Sequence, residues 1–275
     1  MGVTFLKKLD QAVTQNNSLL CIGLDPVIDK LPPHIKNLHK PFFKFNKALI
    51  DATQDIVCAY KPNSAFYEAR GAEGIAELKE TCDYIHDRYP EIPVILDAKR
   101  GDIGSTNEGY AIYAFDYLRV GAITLHPYLG GASLTPFLDR VDRGLIILCK
   151  TSNPDSDELQ SLLHNGKPLY EHVARQVIRN WNKKNNCLMV IGATYPEDLA
   201  NIRGMTDEMV FLIPGIGRQG GDLGKTLTAG LNTKKRGLII SASRSVIFAG
   251  AGRDFADRAR REAMRLNDII NRYRT

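Results

Sequence analysis

The sequence predicts an α/β protein, a single (β/α)8 barrel spanning residues 1–275, and three observations carry that prediction. Apolar runs of strand length recur eight times, the stretches between them carry apolar residues at helical spacing, and no Asn-Gly-type turn joins one run directly to the next. Strands that alternate with helices run parallel, because each crossover returns the chain to the same end of the sheet. Eight such units in about 250 residues match a closed barrel of the TIM type better than an open, doubly wound sheet.

Taken in order, an N-terminal helix with Phe5, Leu6, Leu9, Ala12 and Val13 on one face is expected to close the barrel floor. The strand runs are Leu19 to Leu24, Val57 to Tyr60, Val94 to Leu96, Ala122 to Leu125, Leu145 to Cys149, Leu188 to Ile191, Val210 to Ile213 and Leu238 to Ile240. Between them, Phe42, Phe45, Leu49, Ile50 and Ile56 mark one helix, and Ile75, Leu78, Cys82 and Ile85 the next. A last helix bearing Phe255, Ala259, Ala263, Leu266 and Ile270 completes the outer ring. One connection is long: Ser152 to Pro168, with Asn153-Pro154-Asp155 and Asn165-Gly166, follows the fifth strand and reads as a lid or binding loop, or as a tolerated surface insertion.

Composition narrows the function classes. The net charge of +5 is modest and the basic residues are scattered, which argues against a nucleic-acid surface and leaves room for a small anionic ligand. Five cysteines lie far apart with no CxxC pair, the pattern of reduced thiols in a cytoplasmic protein rather than of disulfides or a metal centre. The residues up to Asn17 are interrupted by Lys7, Lys8 and Asp10, and no apolar run is long enough to span a membrane, so a soluble, unprocessed chain is expected.

Polar residues collect where the strand runs end. Asp25 follows the first run, Lys61 and Asn63 the second, Asp97 and Lys99 the third, His126 the fourth and Lys150 to Asn153 the fifth. Strand alternation puts residues 97 and 99 on one face, so Asp97 and Lys99 are expected to project together into the barrel mouth. At about 4 Å such a pair attracts by roughly 4 kcal/mol at an effective dielectric near 20. This spacing fits either a catalytic array of alternating charge or a buried ion network that only fixes the barrel top.

The seventh run leads into Pro214-Gly215-Ile216-Gly217-Arg218-Gln219-Gly220-Gly221 and the eighth into Ser243-Arg244, the two loops that hold phosphate in this architecture. Residues 215–220 satisfy GxGxxG, but they follow a late strand and lack the downstream acid of a dinucleotide site. Gly224-Lys225-Thr226 imitates the end of a P-loop, yet Gln219 stands where its first glycine belongs. No HExxH or GxSxG occurs, His126 reads as structural, and Tyr110, Tyr113 and Tyr117 are spaced as a packing face.

The stretch Asp97-Ala98-Lys99-Arg100-Gly101-Asp102-Ile103-Gly104-Ser105-Thr106 resembles the DxKxxD–IxxT signature of the orotidine 5'-phosphate decarboxylases. Gly23-Leu24-Asp25-Pro26, Tyr60-Lys61-Pro62-Asn63, Thr151-Ser152-Asn153-Pro154, Pro214-Gly215-Ile216-Gly217 and Ser243-Arg244-Ser245 follow in family order, and the long fifth loop resembles the longer bacterial subfamily. The resemblance implies a cofactor-free decarboxylation of orotidine 5'-monophosphate to UMP, the last step of de novo pyrimidine biosynthesis, with no metal. It implies that Lys99 protonates C6, that Asp97 lies beside the departing carboxylate and that Asp25 and Lys61 bind ribose hydroxyls. Ser152 is then expected at the pyrimidine, Gln219 and Arg244 at the phosphate, and Pro214 and Gly215 in the loop that shapes both. Asp102, Ile103 and Thr106 are expected to reach into a second subunit of a homodimer. A related magnesium-dependent sugar-phosphate barrel also uses DxKxxD; the Ile103-to-Thr106 continuation, and Ile95 where that group carries an acid, argue against it.

Overall fold

The structure, a computed structural model, describes residues 3–216 and 222–275. The strands are β1 (Leu20–Gly23), β2 (Ala59–Lys61), β3 (Ile95–Arg100), β4 (Ala122–Leu125), β5 (Gly144–Lys150), β6 (Cys187–Ile191), β7 (Phe211–Ile213) and β8 (Leu238–Ala242). All neighbours pair in parallel in the order β2-β1-β8-β7-β6-β5-β4-β3. Two isolated parallel bridges, Tyr60 to Val94 and Asn63 to Asp97, join β2 to β3 and close the (β/α)8 barrel.

Besides short helical turns in the connections, the helices are α1 (Phe5–Gln15), α2 (Pro41–Thr53), α3 (Gly71–Arg88), α4 (Gly104–Ala111), α5 (Thr135–Leu138), α6 (Leu169–Gln176), α7 (Pro196–Met205), α8 (Leu223–Gly230) and α9 (Phe255–Arg272). Each of α2 to α9 follows one barrel strand. Helix α1 starts at an N-cap threonine, Thr4, and buries Phe5, Leu9, Ala12 and Val13. Phe5 lies against Gly121 and Gly144 at the entrances of β4 and β5, so the helix does close the floor. The final helix buries Phe255, Ala259, Ala263, Leu266 and Ile270, all five of the residues its periodicity picks out.

Two expectations need correction. The third strand does not stop at Leu96: it continues to Arg100, and between Leu96 and Arg100 the pairing with β4 slips, so that residues 97–99 face Thr124 alone. Lys99 sits there at φ 47°, a left-handed backbone that ends simple alternation. The fifth connection is not a plain loop either. It folds as short helical turns at Pro154–Ser156 and Asp157–Gln160, then as an antiparallel hairpin of Leu163–His164 with Lys167–Pro168. Asn165 and Gly166 turn that hairpin with positive φ at both positions, the preference of a two-residue primed turn.

Candidate active site

The carboxyl ends of the strands hold two adjoining cavities that share Lys61 and Pro214. The larger, about 490 Å³, is lined by Lys61, Asp97, Lys99 and Thr124 on one side and by Thr151, Ser152, Asn153 and Gln160 on the other. Its floor is apolar: Leu148, Val190 and Leu212, from β5, β6 and β7. The second, about 290 Å³, is lined by Asp25, Asn63, Phe66, Gly215, Ser243 and Arg244 among others. The pair suits a ligand with a flat apolar part and a charged part.

Asp97 organises the charge. Lys61 donates to its Oδ2 at 2.8 Å and Lys99 to its Oδ1 at 2.6 Å. The bulge supplies a third donor, because the Thr124 hydroxyl reaches Asp97 Oδ1 at 3.0 Å while accepting the Lys99 backbone N–H at 2.9 Å. So Asp97 and Lys99 do meet, but through a left-handed residue bent around Thr124 rather than through strand alternation. Burial alone pushes the Asp97 carboxyl up; the Lys61 and Lys99 ammonium groups overcome that and hold it well below the usual carboxylate range. Burial likewise opposes charge on Lys61, and Asp97 and Asp25 more than restore it, holding its ammonium above the ordinary lysine value.

Asp25 is fixed from both sides, accepting the Asn63 backbone N–H at 3.1 Å and the Ser243 hydroxyl at 2.5 Å. Arg244 opens a short helix directly after β8 and lines the second cavity, and among the described residues no carboxylate pairs with it. A guanidinium so placed is a ready anion donor.

The structure thus gathers Asp25, Lys61, Asp97, Lys99, Ser152, Pro214, Gly215 and Arg244 around one barrel mouth. Asp102, Ile103 and Thr106 line neither cavity. Asp102 caps its own loop, accepting the Ile103 N–H at 2.7 Å, and Ile103 is 63% exposed. Gln219 lies outside the described residues. His126 is structural: its Nε2 lies 2.9 Å from the Gly101 carbonyl and pins the loop that carries Asp102.

Sequence reasoning missed Thr124, Gln160 and Phe66, and it placed Ser243 in the loop after the eighth strand without giving it a role. Ser243 follows β8 directly and precedes Arg244, a position the pattern marks, whereas Thr124 gains its role only from the bulge opposite it.

Fold and site together define a class: a (β/α)8-barrel protein with a lysine–carboxylate cluster and an open guanidinium at the strand ends. Within it, the chain belongs to the orotidine 5'-phosphate decarboxylase / HUMPS family, whose pattern matches residues 18–259. It is 51% identical over 271 residues to the orotidine 5'-phosphate decarboxylase of Cellvibrio japonicus, covering 98% of each chain. The OMP decarboxylase structure from Leishmania donovani superposes with a TM-score of 0.87 at 38% identity, covering 99% of both chains. The UMP synthase structure from the same organism gives a TM-score of 0.89 at 40% identity, and this chain spans 57% of its length.

Proposed function

We propose that this protein is a carbon–carbon lyase that converts orotidine 5'-monophosphate to UMP and carbon dioxide, completing UMP synthesis. The observation that carries the reading is the Asp97 carboxylate held between two ammonium groups on the wall of the larger cavity. Breaking the C6–carboxylate bond leaves its electron pair on C6 of the pyrimidine, where the ring delocalises it poorly. Stabilisation must then come from fixed charge. Lys99 is half-exposed toward the cavity and offers both a cation and the proton that C6 takes up. Asp97 sits beside the leaving carboxylate, and its fixed negative charge favours departure.

The remaining groups bind. Asp25 and Lys61 hold ribose hydroxyls, Ser152 meets the pyrimidine, Pro214 and Gly215 shape the loop, and Arg244, with Gln219, takes the phosphate. Phosphate contacts remote from C6 supply binding energy that positions the reacting carbon. Proton and electron pair balance within substrate and lysine, so the reaction needs no cofactor. Both Asp97 oxygens already accept from ammonium donors, which supports this over the magnesium reading.

The protein is proposed to act as a cytoplasmic homodimer. Asp102, Ile103 and Thr106, which stand outside their own cavity, complete the site of the neighbouring subunit. Ile103, Ile112 and Tyr117, all in the segment that follows β3, are exposed apolar side chains available for burial. Among the described residues no helix is long and apolar enough to cross a membrane.

The test is ultraviolet loss of orotidine 5'-monophosphate, with and without chelator, on wild type and Lys99→Ala. Wild-type turnover that survives chelation and falls at least about 10³-fold in Lys99→Ala is expected. Absence of turnover in pure wild type overturns the reading, and loss on chelation transfers it to the magnesium alternative.

A further inference from the structure

One buried cation takes no part in this chemistry. Lys150, the last residue of β5, has a side chain with 0% exposure, yet its ammonium is fully engaged. It donates to Asp157 Oδ1 at 2.5 Å and Ser161 Oγ at 3.1 Å, and it lies 4.3 Å from the Tyr195 ring centroid, with Asp198 at 3.9 Å. These partners come from both sides of the site wall: Asp157 and Ser161 from the excursion after β5, Tyr195 and Asp198 from the start of α7. A buried lysine is costly unless its partners are held in place, so the cation ties the excursion to the barrel.

The tied segment is the polar wall of the larger cavity. Gln160, one turn along from Asp157, accepts the Thr151 backbone N–H at 2.8 Å and donates to the Thr151 hydroxyl at 2.7 Å. That two-point clamp fixes Thr151, the residue before Ser152. From behind, Gly192 donates its N–H to the Lys150 carbonyl at 2.8 Å, and a Cβ on Gly192 would come within 2.8 Å of the Ser152 backbone. The wall is therefore pressed flush against β6 and braced by Asp157, Gln160 and Lys150.

We propose that Lys150 is a positioning residue which, through Asp157 and the Gln160 clamp, sets where Ser152 meets the pyrimidine and so governs recognition of the base rather than the chemical step. The inference rests on the decarboxylase reading for its ligand. The structural part is testable without it.

Asp157→Asn is the informative variant, because Asp157 is 56% exposed and not itself part of the apolar core, while Ser161 and Asp198 stay beside the Lys150 ammonium. In hydrogen exchange on the ligand-free protein, the amides of Thr151 to Asn153 should exchange at least about 10-fold faster in Asp157→Asn and in Gln160→Ala, with the barrel strands unchanged. In steady state, Asp157→Asn, at a residue that does not line the cavity, should raise KM about 10-fold with kcat within about 2-fold. Asp157→Asn combined with Gln160→Ala should be no worse than the poorer single variant, since both act through one wall. Lys150→Arg should retain more of wild-type KM than Lys150→Met. Unchanged exchange at Thr151 to Asn153, or a fall in kcat with KM unchanged, overturns the proposal. Wild type that fails to turn over, with the exchange response intact, overturns only the substrate reading.

Discussion

Lys61 and Lys99 grip opposite oxygens of one carboxylate, Asp97, at 2.8 Å and 2.6 Å, and they differ sharply in exposure: 6% for the Lys61 side chain and 49% for Lys99. The inner lysine shares its charge with Asp97 and Asp25. The outer one is open to whatever enters the cavity.

That asymmetry makes Asp97 a stability residue as well as a catalytic candidate. Replacing it by asparagine leaves Lys61 buried without its main counter-charge, at a cost on the order of 3 kcal/mol. Thermal unfolding of Asp97→Asn should show it as a clear drop in Tm, and an unchanged Tm would contradict the buried-pair description.

The same residues set a pH window. The Asp97 carboxyl is held below its ordinary 3.8, so its contribution to stability is complete above that value and is lost as pH falls through the lower folded value. Lys61 is held above its ordinary 10.5, so its contribution is complete below that value and is lost as pH rises beyond it. Between about pH 4 and 10 neither group makes stability pH-dependent. Urea midpoints measured downward from about pH 5 should fall more steeply in wild type than in Asp97→Asn; equal slopes would count against the depressed carboxyl.

Gly101 is fixed by the His126 ring, which occupies the space a Cβ would need. Gly101→Ala should destabilise by about 1–3 kcal/mol and displace the loop bearing Asp102. Adding His126→Ala opens that space and should recover part of the lost Tm. A double variant less stable than Gly101→Ala alone would show that the hydrogen bond to the Gly101 carbonyl, not the overlap, governs the loop.

The cysteines should be silent in the native protein. All five are buried, and burial pushes the thiols of Cys21, Cys82 and Cys187 up to about 12. Iodoacetamide at about pH 8 should label none of them until denaturant is added. Rapid labelling of any one in folded protein would refute that burial.

The proposed sharing of the site between subunits predicts complementation. Lys99→Ala and Asp102→Ala homodimers should both be nearly inactive. Co-refolded in equal amounts they should regain about a quarter of wild-type turnover, since half the dimers are mixed and each mixed dimer holds one intact site. No recovery in a preparation shown to contain heterodimers would sink the shared site.

Much of this was legible in the residues because it depends on short-range pattern. The buried face of α9 follows from a 3.6-residue period, and the charges at the ends of β1, β2 and β3 stand out against apolar runs. What escaped depends on contacts across strands. The left-handed Lys99 has no sequence mark, because lysine is an unusual occupant of that region, and Thr124 earns its place only from the slipped register. The Asn165-Gly166 hairpin had a mark of the right kind but stood inside a long polar segment that masked its flanking strands. Lys150 looked like one more charge after a strand; its burial depends on residues that arrive from α7.

The β2–β3 closure, made by two lone bridges, has a diagnostic consequence. Asn63 and Asp97 form one of those bridges, and the neighbouring Lys61–Asp97 pair acts as a rivet across the same seam. A descendant that abandoned the reaction would still need the rivet to keep its cylinder shut. Retention of Lys61 and Asp97 in a diverged relative is thus poor testimony of function, whereas Lys99, outward and on a disfavoured backbone, is what a lineage free of that chemistry could discard first.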